Sequence, residues 1–148
     1  MEFVHEITAF LENKPGRLAK ICSSLAHEKV NLQALCVMET DGPSVLRFVT
    51  HDVEATRKVL TSLGTEFATR DVLAVEMENR PGALAKILEH LAEEHINVDS
   101  AYSAASPAPG RSLGIFHTSN PKRALQVLTD STANGQNHAP RRRPLHTR

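Results

Sequence analysis

Apolar and polar residues alternate from residue 3 to residue 12, with Phe3, Ile7, Ala9 and Leu11 on one side. A period of two marks a half-buried strand. Pro15-Gly16 ends it, and the period lengthens. Leu18, Ile21, Cys22, Leu25 and Ala26 recur at the spacing of a single helix face. Proline suits the first helical turn, where its missing N–H has no acceptor within the helix anyway. Residues 30–39 predict a second strand and residues 44–51 a third, with Asp41-Gly42-Pro43 as the turn between them. Asp52 is placed to cap a second helix running to residue 63, and residues 65–70 predict a fourth strand.

The same pattern then begins again. Residues 12–31 read ENKPGRLAKICSSLAHEKVN and residues 78–97 read ENRPGALAKILEHLAEEHIN, identical at 12 of 20 positions at a constant offset of 66. Ile7, Ala9 and Leu11 correspond to Leu73, Val75 and Met77, and Leu84, Ile87, Leu88, Leu91 and Ala92 repeat the helix face. Asn120-Pro121 opens the second helix of the copy, as Asp52 does in the original. A tandem duplication accounts for this, and it predicts an α+β chain of two ferredoxin-like βαββαβ domains. Each is an antiparallel sheet with its helices on one face. The boundaries read as 1–68 and 69–131, followed by a disordered basic tail over 132–148. After the last helix no alternating apolar run follows, so the fourth strand of the second repeat is either missing or supplied by another segment. The outward set of repeat one, Phe10, Leu35, Val37, Val45 and Val49, is too apolar for a wet surface. It is expected to be covered by the other repeat, a loop or a second subunit.

Charge narrows the function. The chain has 17 basic and 17 acidic residues, but Arg141, Arg142, Arg143 and Arg148 all fall in the last eight positions. Without them 13 basic groups face 17 acidic ones, so the body is mildly acidic, which argues against a nucleic-acid partner. Phe48 and Phe116 are single aromatics expected to point inward, not a stacking platform for bases. No run of about 18 apolar residues suggests a membrane span, and the N-terminus lacks the pattern of a signal peptide. Cys22 and Cys36 read as reduced core residues of a cytoplasmic protein. Nothing points to an enzyme: there is no GxGxxG, no GxxxxGK[ST] and no HExxH. His90 and His95 fall on different helix faces, while Glu76/Glu78 and Glu93-Glu94 read as solvated charges. No metal or other cofactor is expected.

What both repeats keep is the junction Glu-Asn-Lys/Arg-Pro-Gly-x-Leu-Ala-Lys, with an Asn fifteen residues after the Gly. A helix start offers unpaired N–H groups and positive dipole charge to a carboxylate. Gly16 and Gly82 let a ligand approach the backbone. Asn13, Asn31, Asn79 and Asn97 carry amides able to bond the ammonium and carboxylate of a free amino acid. The same Asn residues also suit turns and caps, and duplicated structure duplicates caps. Both readings stand on the residues alone.

The two segments resemble the ACT domain, a small ligand-binding module of amino-acid metabolism, over about residues 3–130. The nearest motif likeness is to the serine-binding regulatory domain of phosphoglycerate dehydrogenase, with a looser one to the small regulatory subunit of acetolactate synthase. The resemblance implies a non-catalytic sensor that binds a small amino-acid effector at an interface between domains. It also implies a homodimer and a partner enzyme of amino-acid biosynthesis. The site it implies is Asn13, Gly16, Arg17, Leu18 and Asn31 in repeat one, and Asn79, Gly82, Ala83, Leu84 and Asn97 in repeat two.

Overall fold

A computed structural model describes residues 1–134. The elements are β1 (Glu2–Leu11), α1 (Arg17–His27), β2 (Leu32–Met38), β3 (Ser44–Thr50), α2 (Val53–Ser62), β4 (Phe67–Glu78), α3 (Ala83–Glu93), β5 (Val98–Ala105), β6 (Arg111–Thr118) and α4 (Pro121–Asn134). The βαββαβ order expected from the hydrophobic periods is therefore present, and the first repeat completes it. Asp52 caps α2 by accepting from the Ala55 N–H (2.9 Å), and Asn120 accepts from the Arg123 N–H (3.1 Å) at the start of α4. The helix α4 takes in residues 132–134, which the sequence reading assigned to the tail; residues 135–148 lie outside the described residues.

All six strands join one antiparallel sheet, in the order β2-β3-β1-β4-β6-β5. The two repeats share β4. Its first residues, from Phe67, act as the fourth strand of repeat one, and the stretch to Glu78 is the first strand of repeat two. The missing fourth strand of repeat two is supplied by β1, whose residues Glu2 to His5 pair with Ala74 to Asp71. Beyond Ala74, on that side, no strand is paired among the described residues.

Register assigns the faces. Opposite residues in a ladder share a face, so Ile7, Ala9, Phe48, Leu73 and Phe116 all lie on one side. All four helices pack there, in two clusters. Ile21, Leu25, Val59 and Leu60 close over repeat one, and Leu91, Ala124 and Leu128 over repeat two. Phe48 and Phe116 are 0% and 1% exposed at the centres of these clusters. On α3, Leu84 and Leu88 do not join the core as the helix period suggested. Ala83, Ile87 and His90 line the gap towards α4, which leaves Leu84 and Leu88 on the flank turned away from it.

The opposite face is concave. The sheet coils until its two edge strands, β2 and β5, touch. Ala34, Val49, Val72, Ala74 and Ile115 form a third buried cluster inside this coil, with Val4, Tyr102, Ala104 and Leu113 against it. Of the outward set expected in repeat one, Val49 is covered by the second repeat, while Phe10 and Val45 are only half-buried. Leu35 and Val37 are on the other face: they pair with Phe48 and Leu46 on an edge strand and are 39% and 45% exposed. A bulge between Leu32 and Ala34 shifts the alternation of β2, which the plain period could not show. Cys22 and Cys36 are unpaired and half-buried, not core residues.

One polar network sits within the concave core. The Glu6 side chain is buried; its carboxylate accepts from Arg70 Nε (2.6 Å) and from the Tyr102 hydroxyl (2.9 Å), and Arg70 Nη2 donates to Ser100 Oγ (3.0 Å). Burial first, and the Glu6 charge second, push the Tyr102 phenol well above its ordinary value. Its contribution to stability is full below pH about 10 and declines as pH rises above that, because only the unfolded chain then ionises. Tyr102 is the single tyrosine, so near-ultraviolet absorbance reads it directly. Phenolate should appear only together with unfolding. A simple titration near pH 10 with the fold intact would contradict this burial.

The repeats differ in one buried pair. In repeat one the Thr50 and Thr56 hydroxyls bond each other (3.1 Å), and Thr56 also donates to the Asp52 carbonyl (2.6 Å). In repeat two the matching residues are Thr118 and Ala124, and Thr118 Oγ1 is buried with no partner among the described residues. Thr118→Val should therefore raise stability by about 1 kcal/mol in urea unfolding, whereas Thr50→Val should lower it.

Candidate functional site

Each Pro-Gly loop makes an open helix start. Gly16 (φ +87°) and Gly82 (φ +85°) occupy the N-cap positions in the left-handed region, and among the described residues no side chain caps either helix. The Arg17 N–H reaches the Lys14 carbonyl (3.4 Å) and the Lys20 N–H the Gly16 carbonyl (2.9 Å). Between them the Leu18 and Ala19 N–H groups have no partner among the described residues, and neither do those of Leu84 and Ala85. These are the orphan donors of a helix start, aimed outward with the positive end of the dipole. A Cβ at Gly16 would meet nothing within 4 Å, so Gly16→Ala acts through backbone strain alone. It should cost about 1–2 kcal/mol of stability and distort the helix start. Urea unfolding checks the first effect.

The Asn side chains before the turns are not caps. Neither Asn13 nor Asn79 makes a side-chain hydrogen bond among the described residues, which leaves their amides open. Charge differs between the loops. In repeat one Glu12 holds Lys14 Nζ (2.9 Å) and Arg17 Nη2 (3.3 Å). Lys14 first, and Arg17 after it, keep the exposed Glu12 carboxyl below its usual range. In repeat two Glu78 pairs with Arg80, and Ala83 stands where repeat one has Arg17. Repeat one thus has two cations beside its free amides and repeat two has one.

The strand-opening Asn residues lie elsewhere. Leu11 pairs with Ser44 at one end of β3 and Leu32 with Thr50 at the other. Asn13 and Asn31 are therefore at opposite ends of repeat one, about 20 Å apart along the strands. Glu78↔Arg111 and Val98↔Thr118 separate Asn79 from Asn97 in the same way. Within one chain the structure brings Asn13 together with Gly16, Arg17 and Leu18, and Asn79 with Gly82, Ala83 and Leu84, but not with Asn31 or Asn97. Those two also differ. The Asn31 amide side chain is unengaged, its backbone N–H donating to His51 Nδ1 (3.1 Å). Asn97 Nδ2 donates to Asp99 Oδ1 (2.8 Å), because Asp99 replaces the Gln33 of repeat one.

The polar network of Glu6, Arg70 and Tyr102 inside the concave face is not legible in the local sequence pattern. A charged Glu6 beside Val4 on the alternating pattern was the available signal, but its partners lie 64 and 96 residues away. Among the described residues no group of His, Cys, Asp or Glu is arranged to hold a metal ion, and no helix is long and apolar enough to cross a membrane.

A fold of two coupled βαββαβ units, each with an open Pro-Gly helix start, is that of paired ACT regulatory domains. The chain belongs to that family: the family model for an ACT domain pair matches residues 2–135. Among solved structures it is similar to protein BT0572 from Bacteroides thetaiotaomicron, with 32% identity, a TM-score of 0.81, and 88% of this chain and 89% of that one covered. The regulatory subunit of aspartate kinase from Thermus thermophilus shares the fold at 15% identity and a TM-score of 0.64, covering 87% and 91% of the two chains. The corresponding subunit from Thermus flavus does so at 17% identity and a TM-score of 0.57, covering 88% and 94%. No curated protein sequence matches the chain.

Proposed function

We propose that this chain is a non-catalytic cytoplasmic sensor that binds a small amino acid and passes the signal to an enzyme of amino-acid biosynthesis. The observation that carries the reading is the uncapped start of α1. Free Leu18 and Ala19 N–H groups, the Arg17 and Lys14 cations and an unengaged Asn13 amide surround one exposed loop. Such donors suit a carboxylate, and the amide oxygen suits the adjacent ammonium. The Thermus proteins of the same fold are regulatory subunits of aspartate kinase, which is the kind of partner enzyme we have in mind. A regulatory subunit of acetolactate synthase is the alternative.

The site is completed by a second copy. Among the described residues β2 is hydrogen-bonded only to β3; its outer edge comes close to β5 but shares no ladder with it, so its outward backbone groups take part in no sheet pairing. Antiparallel pairing of β2 with the β2 of another copy would carry Asn31 past the far end of the partner strand. That end lies beside the loop holding Asn13, Gly16, Arg17 and Leu18. The exposed Leu35 and Val37 supply apolar surface for the pairing. At the matching positions of β5, repeat two has only Ala101 and Ser103, and its Asn97 is already engaged. The site around Asn79, Gly82, Ala83, Leu84 and Asn97 is accordingly the weaker of the two.

Asn13→Ala should reduce amino-acid affinity by about 1–3 kcal/mol, the worth of a hydrogen bond to a charged group, and leave the melting temperature without ligand unchanged. Thermal melting with and without ligand checks both halves. A lowered ligand-free melting temperature with full ligand response would return Asn13 to a structural role.

A further inference from the structure

We propose that the mouth of the coiled sheet is a separate binding site, and that it takes a small organic cation with an apolar body: a primary amine that carries no carboxylate. Where β2 begins and β5 ends, the concave face opens into a cavity of about 550 Å³, within the range of small-molecule sites. Both repeats build it. Its floor is aliphatic: Val4 and Val49 come from repeat one, Ala74, Leu113 and Ile115 from repeat two.

The rim sets the charge. Glu2 and Glu76 place two carboxylates there, and Asn31, Gln33 and Ser106 add neutral polar groups. Among the described residues no Lys, Arg or His lines the cavity. Met1 reaches the rim, but its amino group forms no ion pair among the described residues. Arg111 donates to the Glu76 carbonyl (3.2 Å) and pairs with neither carboxylate. Glu76 is held in place: Ser106 Oγ donates to its Oε1 (2.5 Å) while accepting from the Ala108 N–H (3.2 Å). Its other oxygen is left for a ligand. A pocket with an apolar floor, a Glu76 carboxylate held in place and no basic side chain in its described lining favours an ammonium with a hydrocarbon tail. It disfavours a zwitterion, whose carboxylate would face two like charges. The helix starts have the opposite preference, so the chain offers two sites of complementary chemistry.

Calorimetry with hexylamine and phenethylamine, against hexanol and phenylethanol, tests the assignment. The amines should bind and the alcohols should not. Glu2→Gln combined with Glu76→Gln should weaken amine binding by roughly tenfold or more, while the melting temperature stays unchanged because both side chains are exposed. Gln33→Trp, at the exposed rim, should block access and serves as a second variant. Asn13→Ala should leave amine binding intact, which separates this site from the amino-acid site. Absence of amine binding, equal binding of the alcohols, or amine affinity unchanged in the double variant would overturn the proposal.

Discussion

Glu6→Ala should cost about 3–5 kcal/mol of stability. The carboxylate is 0% exposed and answers both the Arg70 guanidinium and the Tyr102 hydroxyl. Removing it strands a guanidinium whose side chain is 28% exposed and a half-buried phenol. Residual solvation of Arg70 favours the lower end of that range. In a chain of this size the loss corresponds to a fall in melting temperature of about 10 °C. Replacing Glu6 and Arg70 together by Leu and Met should recover much of the loss, because no unpaired charge then remains. Differential scanning calorimetry of the three proteins decides the matter. Equal melting temperatures for Glu6→Ala and the parent would mean that the network holds nothing.

Val37→Asp should separate the two copies and remove the amino-acid response with them. Val37 is 45% exposed, so the change leaves the fold of each copy intact. In the proposed pairing, however, the two β2 edges lie side by side, and a carboxylate on each brings like charges together. Light scattering should show a monomer, and amino-acid affinity should fall by roughly tenfold or more, since Asn31 no longer reaches the partner's loop. The matching change in repeat two, Ser103→Asp, should do neither. A Val37→Asp protein that stays dimeric would place the interface elsewhere.

The duplicated hydrophobic periods made the element order legible, because strand and helix periods depend on neighbours a few residues away. Ile7, Ala9 and Leu11 face the helices as their alternation required, and Asp52 caps α2. What the periods could not show was long-range. The sharing of β4 and the filling of the fourth-strand position by residues 2–5 depend on pairings between residues 58 to 72 positions apart. Leu35 and Val37 read as part of an outward face with Val49, but the bulge after Leu32 puts them on the helix side. Asn13 and Gly16 are legible from local chemistry, and Arg17 and Leu18 follow from the resemblance to the family; all four lie in the loop and first turn that open α1. That Asn13 and Asn31 are at opposite ends follows from helix direction, which spacing along the chain does not reveal.

Calorimetric titration of the full chain with each of the twenty amino acids tests the account most directly. At least one small amino acid should bind in the micromolar to millimolar range, with a stoichiometry near one per chain set by repeat one. Binding should weaken by about fivefold or more when Asn13 is replaced by Ala. No heat from any of the twenty, or full binding by the Asn13→Ala protein, would contradict the account.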